Sequence, residues 1–293
     1  MSLARAYRRL AALCPALRLT IAAPAAGPCA APRTAADAHA PGWTDGRLLA
    51  YDDAARRAWL DAEAARVRDV YGVRAREDVV ATKALHGYLW SAALLISGPW
   101  YLQRRVPYLR PRDVEVGPGG AYRVVVPGAF ACLPGDPAAG SARATVRDRE
   151  EDLHAELRQA VAEHVGPLLE ALRPRVRRGA RALWGMVGDD LVSGLWHLGR
   201  ALGEEERGAE LATRVLPAPL APFPAGARFR RLPDDHPGPD RLTRTRIGCC
   251  LHYTVRGDEV CATCPRLRAL APRAAGPAAP IPAPPRPAET IRL

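Results

Sequence analysis

The stretch DREEDLHAELRQAVAEHVGPLLEAL, residues 148–172, decides the fold class. Its apolar residues recur every three or four positions, and Glu, Arg and His occupy the other face, which is the pattern of an amphipathic helix packed against a core. The apolar stripe consists of Leu153, Leu157, Val161, Val165, Leu168 and Leu172. We therefore predict a core built from packed helices.

Helical patterns continue toward the C-terminus. Pro174 is expected to separate the first helix from a second at about 176–203, and a shorter helix is predicted over 204–215. The second helix carries its own apolar stripe together with four glycines, which weaken a helix but allow either close packing or a groove. The stripe is Leu183, Val187, Leu191, Leu195 and Leu198, and the glycines are Gly185, Gly188, Gly194 and Gly199.

Toward the N-terminus, residues 78–102 are apolar on all sides and predict a central helix that Gly98-Pro99 kinks or ends. An earlier helix begins after Asp52, where an acid suits the positive end of the helix dipole. Two short β-rich runs flank the glycine-rich turn at 117–120, which is a hairpin signal. The predicted fold class is α+β, a predominantly α-helical body with a small β-hairpin and a C-terminal cysteine-rich module.

Composition divides the chain into four parts. Residues 1–44 are predicted to be a mobile Ala/Pro-rich segment whose start leaves room for a short helix, and residues 45–224 a mostly helical body. Residues 225–270 form the cysteine-rich module, and the Pro-rich tail 271–293 is expected to be disordered.

The charge balance does not by itself indicate a nucleic-acid partner. The chain has 42 Lys and Arg against 31 Asp and Glu, a net charge of +11, but Lys83 is the only lysine. Arginine in a chain rich in Ala, Pro and Gly is typical of a GC-rich genome, and no helix-turn-helix, basic zipper or RNA-binding signature is present. We therefore expect no nucleic-acid partner.

No transmembrane segment is expected. The apolar run at 84–96 is shorter than the ~20 residues that a membrane span needs. Pro15 and Arg18 interrupt the apolar run that a signal peptide would require. The predicted location is cytoplasmic.

Four of the seven cysteines lie in TRIGCCLHYTVRGDEVCATCPR, residues 245–266, with the spacing Cys-Cys-x10-Cys-x2-Cys. Four thiolates suit an iron–sulfur cluster and equally a structural zinc. The two-residue spacer of Cys261 and Cys264 lets both sulfurs meet one metal. The adjacent Cys249 and Cys250 can face one site only if the backbone bends, and Gly248 offers that freedom. On spacing alone, an iron–sulfur cluster, a zinc ion and neither of these, for example a vicinal disulfide, remain open.

The other cysteines, Cys14, Cys29 and Cys132, are dispersed along the chain and are predicted to be incidental.

The pattern Cys249-Cys250-x10-Cys261-x2-Cys264-Pro265 resembles the FhuF-like ferric-siderophore reductases of the actinobacterial type. The resemblance extends over about residues 45–268. Its supporting stretches are KALHGYLWSAALLISGPWYLQRRVP (83–107), RALWGMVGDDLVSGLWHLGRALGEEE (181–206) and FRRLPDDHPGPDRLTRTRIGCCLHYTV (229–255).

This resemblance implies a [2Fe–2S] cluster held by those four cysteines, which gives one electron to Fe(III) in an imported ferric siderophore so that Fe(II) is released. It also implies an electron donor such as a ferredoxin or a flavin reductase. Hydroxamate and catecholate oxygens are hard donors that favour Fe(III), so reduction weakens the chelate.

Substrate-facing candidates are three arginines of the module and one tryptophan, because cations and aromatic faces suit planar anionic chelates. They are Arg246, Arg256, Arg266 and Trp184. The competing interpretation places the arginines on a solvated loop and Trp184, like Trp196, in the core.

Two other functions remain open at this point. One is a zinc- or cluster-stabilised regulatory protein whose arginines face nucleic acid. The other is an iron–sulfur assembly or storage partner.

Overall fold

A computed structural model describes residues 2–22, 42–231, 242–257, 261 and 263–266. The helices are α1 Leu3–Leu13, α2 Gly46–Tyr51, α3 Asp53–Tyr71, α4 Glu77–Gln103, α5 Glu150–Val176, α6 Ala180–Ala201 and α7 Glu205–Val215. The strands are β1 Leu19–Ala22, β2 Thr44–Asp45, β3 Val106–Pro107, β4 Val114–Gly117, β5 Ala121–Val125, β6 Phe130–Cys132, β7 Ala144–Val146, β8 Phe229–Arg231 and β9 Leu242–Arg244. The predicted α+β class with a predominantly helical body is confirmed.

Helix α4 forms the centre of the body and packs against α1, α3, α5 and α6. Its side chains are buried around nearly the whole circumference, as the all-round apolar pattern predicts. Gly98-Pro99 does not end it, because the helix continues to Gln103. Leu10 of α1 lies against Gly98, where an added Cβ would be 3.0 Å from the leucine side chain. The burial of Gly98, Pro99 and Trp100 in the core therefore holds the last turn despite the missing hydrogen bond.

By length and composition, α4 is the one helix in the described ranges that could cross a membrane. However, 78% of its most apolar window is buried inside the fold, which is typical of a core helix. The described residues therefore contain no clear transmembrane segment.

Helix α5 buries all six residues of its predicted stripe. It runs through Pro174 and ends at Val176, where Arg177 adopts a left-handed conformation (φ 55°) as its C-cap. The predicted break at Pro174 is therefore displaced by two residues. Helix α6 follows almost at once and packs closely on α7.

The glycines of α6 differ in how closely their neighbours approach. A Cβ on Gly199 would lie 2.7 Å from the Cα of Gly208 in α7, so only hydrogen fits there. Gly194 faces Leu94 of α4, and Gly188 faces Phe223. Packing requires glycine only at Gly199, because a Cβ at Gly194 or Gly188 would make an ordinary van der Waals contact of 3.4 or 3.5 Å.

The predicted hairpin is confirmed, since β4 and β5 pair antiparallel with Val114 opposite Val124 and Gly117 opposite Ala121. It belongs to a four-stranded sheet of order β1-β5-β4-β2, and two smaller sheets, β3-β6-β7 and β8-β9, complete the β structure. The extra strands span two to four residues each. Such strands are too short to produce a readable alternation.

The structure corrects the predicted mobile segment for residues 3–22. Helix α1 buries Tyr7 and Leu10 completely, and β1 pairs in parallel with β5, Leu19 opposite Tyr122. The start of the chain allows a short helix, but the compositional argument grouped these residues with the Ala/Pro run that follows and gave no sign of β1. Residues 23–41 and the Pro-rich tail lie outside the described residues.

Candidate functional site

The four clustered cysteines follow β9, and two of their sulfurs lie close together. Cys250 Sγ is 3.7 Å from Cys261 Sγ. Two thiolates on one tetrahedral metal, with metal–sulfur bonds of about 2.3 Å, lie about 3.8 Å apart. This pair is therefore spaced as two ligands of one metal atom.

The other two thiols lie within electrostatic range of the pair. Cys249 is influenced by the charges of Cys250 and Cys264, and Cys261 by those of Cys250 and Cys264. Cys250 and Cys264 are buried, whereas Cys249 and Cys261 are half-buried. Among the residues that the structure describes, no three Cys, His, Asp or Glu side chains are close enough together to hold one metal ion.

The close thiol pair titrates as a unit. The hydrogen bond with Cys261, together with the smaller effects of the His86 and Arg246 charges, lowers the pKa of the Cys250 thiol to about 4 against the opposing effect of burial. The same hydrogen bond and burial raise the pKa of Cys261. The pair thus loses a first proton easily, and a thiolate is the form that binds a metal.

The bend at the adjacent cysteines occurs after them, not before. Leu251 adopts a left-handed conformation (φ 58°), which costs free energy for a residue with a side chain. Gly248 has a different role from the predicted one, because a Cβ there would lie 2.6 Å from Met186 Cγ of α6. Gly248 therefore lets the cysteine loop approach α6, and Leu251 turns the chain.

Asp189 of α6 anchors this loop. Its Oδ2 accepts hydrogen bonds from the backbone N–H of Ile247 at 2.8 Å and of Gly248 at 2.6 Å, and its Oδ1 accepts from Arg244 Nη2 at 2.6 Å. Asp189 and Arg244 are each 2% exposed. Burial raises the pKa of Asp189, and the charges of Arg244 and Arg246 oppose that rise. A single carboxylate thus fixes the two residues that precede the cysteines.

Arg246 lies beneath the cysteines in a second buried ion pair. Its Nη2 is 3.2 Å from Asp190 Oδ1, and its Nε is 3.9 Å from Asp189 Oδ2. The other oxygen of Asp190 accepts a hydrogen bond from Nδ1 of His86 at 2.9 Å. Burial lowers the pKa of Arg246, but the charges of Asp190, Asp189 and the thiols outweigh it, so the pKa is raised. Arg246 therefore stays charged inside the protein.

Arg246 is only 9% exposed, so little of it is open to a substrate, and its substrate contact stays a prediction. Its Nε–H is buried and has no hydrogen-bond partner among the described residues. A buried donor without a partner costs free energy. The positive charge of the same guanidinium interacts with the thiols of Cys250 and Cys261.

Residues 246–266 match a family model described as the FhuF 2Fe-2S C-terminal domain. This segment is similar to the FhuF 2Fe–2S C-terminal domain, which we call the FhuF-type domain below. The match supports the FhuF-like siderophore reductase family, and it supports a [2Fe–2S] cluster as the cofactor. It spans all four cysteines and leaves the helical body unmatched. A search of curated proteins found no match.

The FhuF-type domain fits this cofactor on three observations. Four thiols are the usual ligand set of a [2Fe–2S] cluster, and one pair already has the separation of two ligands of one iron. The unpaired Nε–H of Arg246 is suited to donate to a sulfur of the cluster. Arg178 donates from Nη1 to the carbonyl oxygen of Cys249 at 2.7 Å, so a second cation lies beside the thiols.

The remaining substrate-facing candidates divide by exposure. Arg256 and Arg266 are exposed, and Arg266 lies over the ring of Tyr253 with its guanidinium carbon 4.3 Å from the ring centroid. Trp184 is half-buried and makes an edge contact with Phe223. Trp196 is buried and donates to Glu205, as the core interpretation expects.

Of the other charged residues of the module, Arg241, Arg268, Asp258 and Glu259 lie outside the described residues.

Sequence reasoning missed the supporting residues of the FhuF-type domain: His86, Arg178, Asp189 and Asp190. The adjacent acids were the available signal. They sit within a run of apolar residues and glycines in α6, where two carboxylates require cationic partners from elsewhere in the fold. No local pattern indicates which arginines these are.

Proposed function

We propose that this protein reduces Fe(III) in imported ferric siderophores in the cytoplasm, by one-electron transfer from a [2Fe–2S] cluster bound to Cys249, Cys250, Cys261 and Cys264. The match of residues 246–266 to the FhuF 2Fe-2S domain carries this proposal.

The position of the thiols favours exchange of electrons with a bound molecule. Cys249 and Cys261 are half-buried, so one side of the cysteine cluster reaches the surface. Arg256 and Arg266 are exposed in the same module. A ferric chelate with carboxylate or catecholate groups could contact these cations and the Tyr253 ring close to the four cysteines.

The reaction balances with one electron. A reduced cluster held by the four cysteines would supply one electron, which would convert Fe(III) in the chelate to Fe(II) without changing a covalent bond of the siderophore. Oxygen donors hold Fe(II) weakly, so the metal leaves. A donor of the ferredoxin or flavin-reductase class returns the electron to the protein.

A single-turnover experiment tests this function. The anaerobically purified protein is reduced with dithionite, freed of excess reductant and mixed with a ferric hydroxamate chelate in the presence of a chromogenic Fe(II) chelator. We expect one Fe(II) per reduced cluster, together with return of the visible absorption of the oxidised protein.

Two variants make the result specific. Cys249→Ser should lose the cluster and the reaction, whereas Cys132→Ala, which removes a thiol buried outside the module, should retain both. Protein with an intact cluster that leaves ferric hydroxamates and ferric catecholates unreduced would refute the proposal. Salt-dependent DNA binding by such protein would point instead to a regulatory role.

A further inference from the structure

We infer that Cys250 and Cys261 bind the same iron of the cluster, that Cys249 and Cys264 bind the other, and that the added electron resides on the iron of Cys250 and Cys261 because Arg246 lies beside it. The inference rests on the [2Fe–2S] cofactor of the proposed function but not on the siderophore substrate.

The pairing follows from the sulfur positions. Each iron of a [2Fe–2S] cluster has two protein ligands, so four cysteines must divide into two pairs. The 3.7 Å between Cys250 Sγ and Cys261 Sγ corresponds to two ligands of one tetrahedral metal. Ligands of different irons are separated by the length of the cluster. Cys249 and Cys264 therefore remain for the second iron.

This pairing differs from the one that spacing favours. The Cys-x2-Cys spacing suggests that Cys261 and Cys264 share a metal, and a hydrogen bond from Cys264 N–H to Cys261 O at 2.8 Å confirms the tight turn between them. Even so, the close partner of Cys261 is Cys250. The left-handed Leu251 redirects the chain directly after Cys250, which separates the roles of the two adjacent cysteines.

The two pairs have different electrostatic surroundings. The positive charge of Arg246 acts on both Cys250 and Cys261. Its backbone N–H donates to the backbone oxygen of Thr263 at 3.1 Å, which joins it to the second half of the module. Its guanidinium is buried, where charges interact strongly because the surroundings are less polarisable than water. On the other side, the cation acting on Cys249 is the half-exposed Arg178, which solvent and salt screen.

The unpaired Nε–H of Arg246 adds a second reason. Hydrogen bonds to the sulfurs of an iron–sulfur cluster stabilise its reduced form. Asp190 binds the guanidinium at Nη2, whereas the nearest oxygen of Asp189 is 3.9 Å from Nε. Nε–H therefore has no hydrogen-bond partner among the described residues. An extra electron on the neighbouring iron is therefore favoured over one on the distant iron.

Proton NMR of the dithionite-reduced wild-type protein tests the pairing without any substitution. The β-protons of cysteines on ferric and ferrous iron are hyperfine-shifted with different temperature dependences, and labelling cysteine together with the residue type that follows it assigns them. We expect Cys250 and Cys261 to show the ferrous pattern, and Cys249 and Cys264 the ferric one. Any other grouping overturns the pairing, and the same grouping with the patterns exchanged overturns the role of Arg246.

Potentiometry then tests the cause, with Arg178→Gln as the matched control. Arg246→Gln should lower the equilibrium constant for one-electron reduction at least tenfold, which is about 59 mV, whereas Arg178→Gln should change it less than threefold. Should Arg246→Gln fail to retain the cluster, Arg246→Lys, which keeps the charge but not Nε–H, should show a smaller decrease. Equal potentials in Arg246→Lys and wild type, with an unchanged NMR pattern, would overturn the role of Nε–H. A failed siderophore assay would leave all of these readouts intact.

Discussion

Replacing Asp189 by Asn tests whether one carboxylate holds the cysteine loop on the helical body. Asp189 receives three hydrogen bonds of 2.6–2.8 Å, from Arg244 and from the backbone of Ile247 and Gly248. Asparagine keeps one acceptor oxygen and introduces an amide group that can only donate. It must therefore leave either the backbone donors or Arg244 Nη2 without its acceptor.

The expected cost is large because the partner is buried. Arg244 is 2% exposed, and removing one member of a buried ion pair typically costs about 3–5 kcal/mol. At about 1.4 kcal/mol per factor of ten, the ratio of docked to undocked loop falls by roughly two to nearly four orders of magnitude. The helices α4 and α5 do not depend on this contact, so the body should stay folded.

Hydrogen exchange and iron content together measure this effect. In Asp189→Asn, the amides of Ile247 and Gly248 should exchange much faster, and iron per protein after anaerobic purification should fall, while the amides of α4 keep their protection. Asp152→Asn is the matched control, since it breaks an exposed bidentate pair with Arg149 and should leave both readouts unchanged. Wild-type protection of the two amides in Asp189→Asn would refute the anchoring role.

Three further predictions concern packing and pH. Gly248→Ala places a Cβ 2.6 Å from Met186 Cγ and should lower cluster content, whereas Gly257→Ala, which meets no atom within 4 Å, should not; equal iron content in both variants would contradict the close-approach role. In Gly199→Ala the new Cβ would lie 2.7 Å from the backbone of α7, which should destabilise the helical body by about 1–3 kcal/mol in denaturant unfolding. An unchanged unfolding midpoint would show that α6 and α7 can move apart without loss of stability. Burial lowers the pKa of His164 from 6.5 to about 4, so between these values the unfolded chain binds more protons. His164 should therefore contribute about 3 kcal/mol to the free energy of unfolding above pH 6.5, and this contribution should be lost as the pH falls toward 4. His164→Gln should remove this part of the pH dependence of the unfolding free energy.

Much of the helical body could be read from local pattern alone. The stripe from Leu153 to Leu172 is buried as predicted, and the apolar run of α4 lies at the centre. Periodicity predicts these features because a helix buries a face determined by its own residues. The same local reasoning allowed a short helix near α1 but did not predict β1 or the placement of either, because both depend on partners far along the chain.

The cysteine spacing, with the resemblance that it carries, predicted a [2Fe–2S] cluster, which the family comparison supports. It did not indicate that Cys250 and Cys261 are the close pair, that Asp189 anchors the loop, or that Arg246 is buried beneath the thiols. The contacts of the two aspartates with their arginines join residues more than fifty positions apart in sequence. The sequence by itself determined which atoms are present to bind iron. The tertiary structure decided which of them meet and which charges surround them, because sulfur distances and burial arise only when α6 and the cysteine loop pack together.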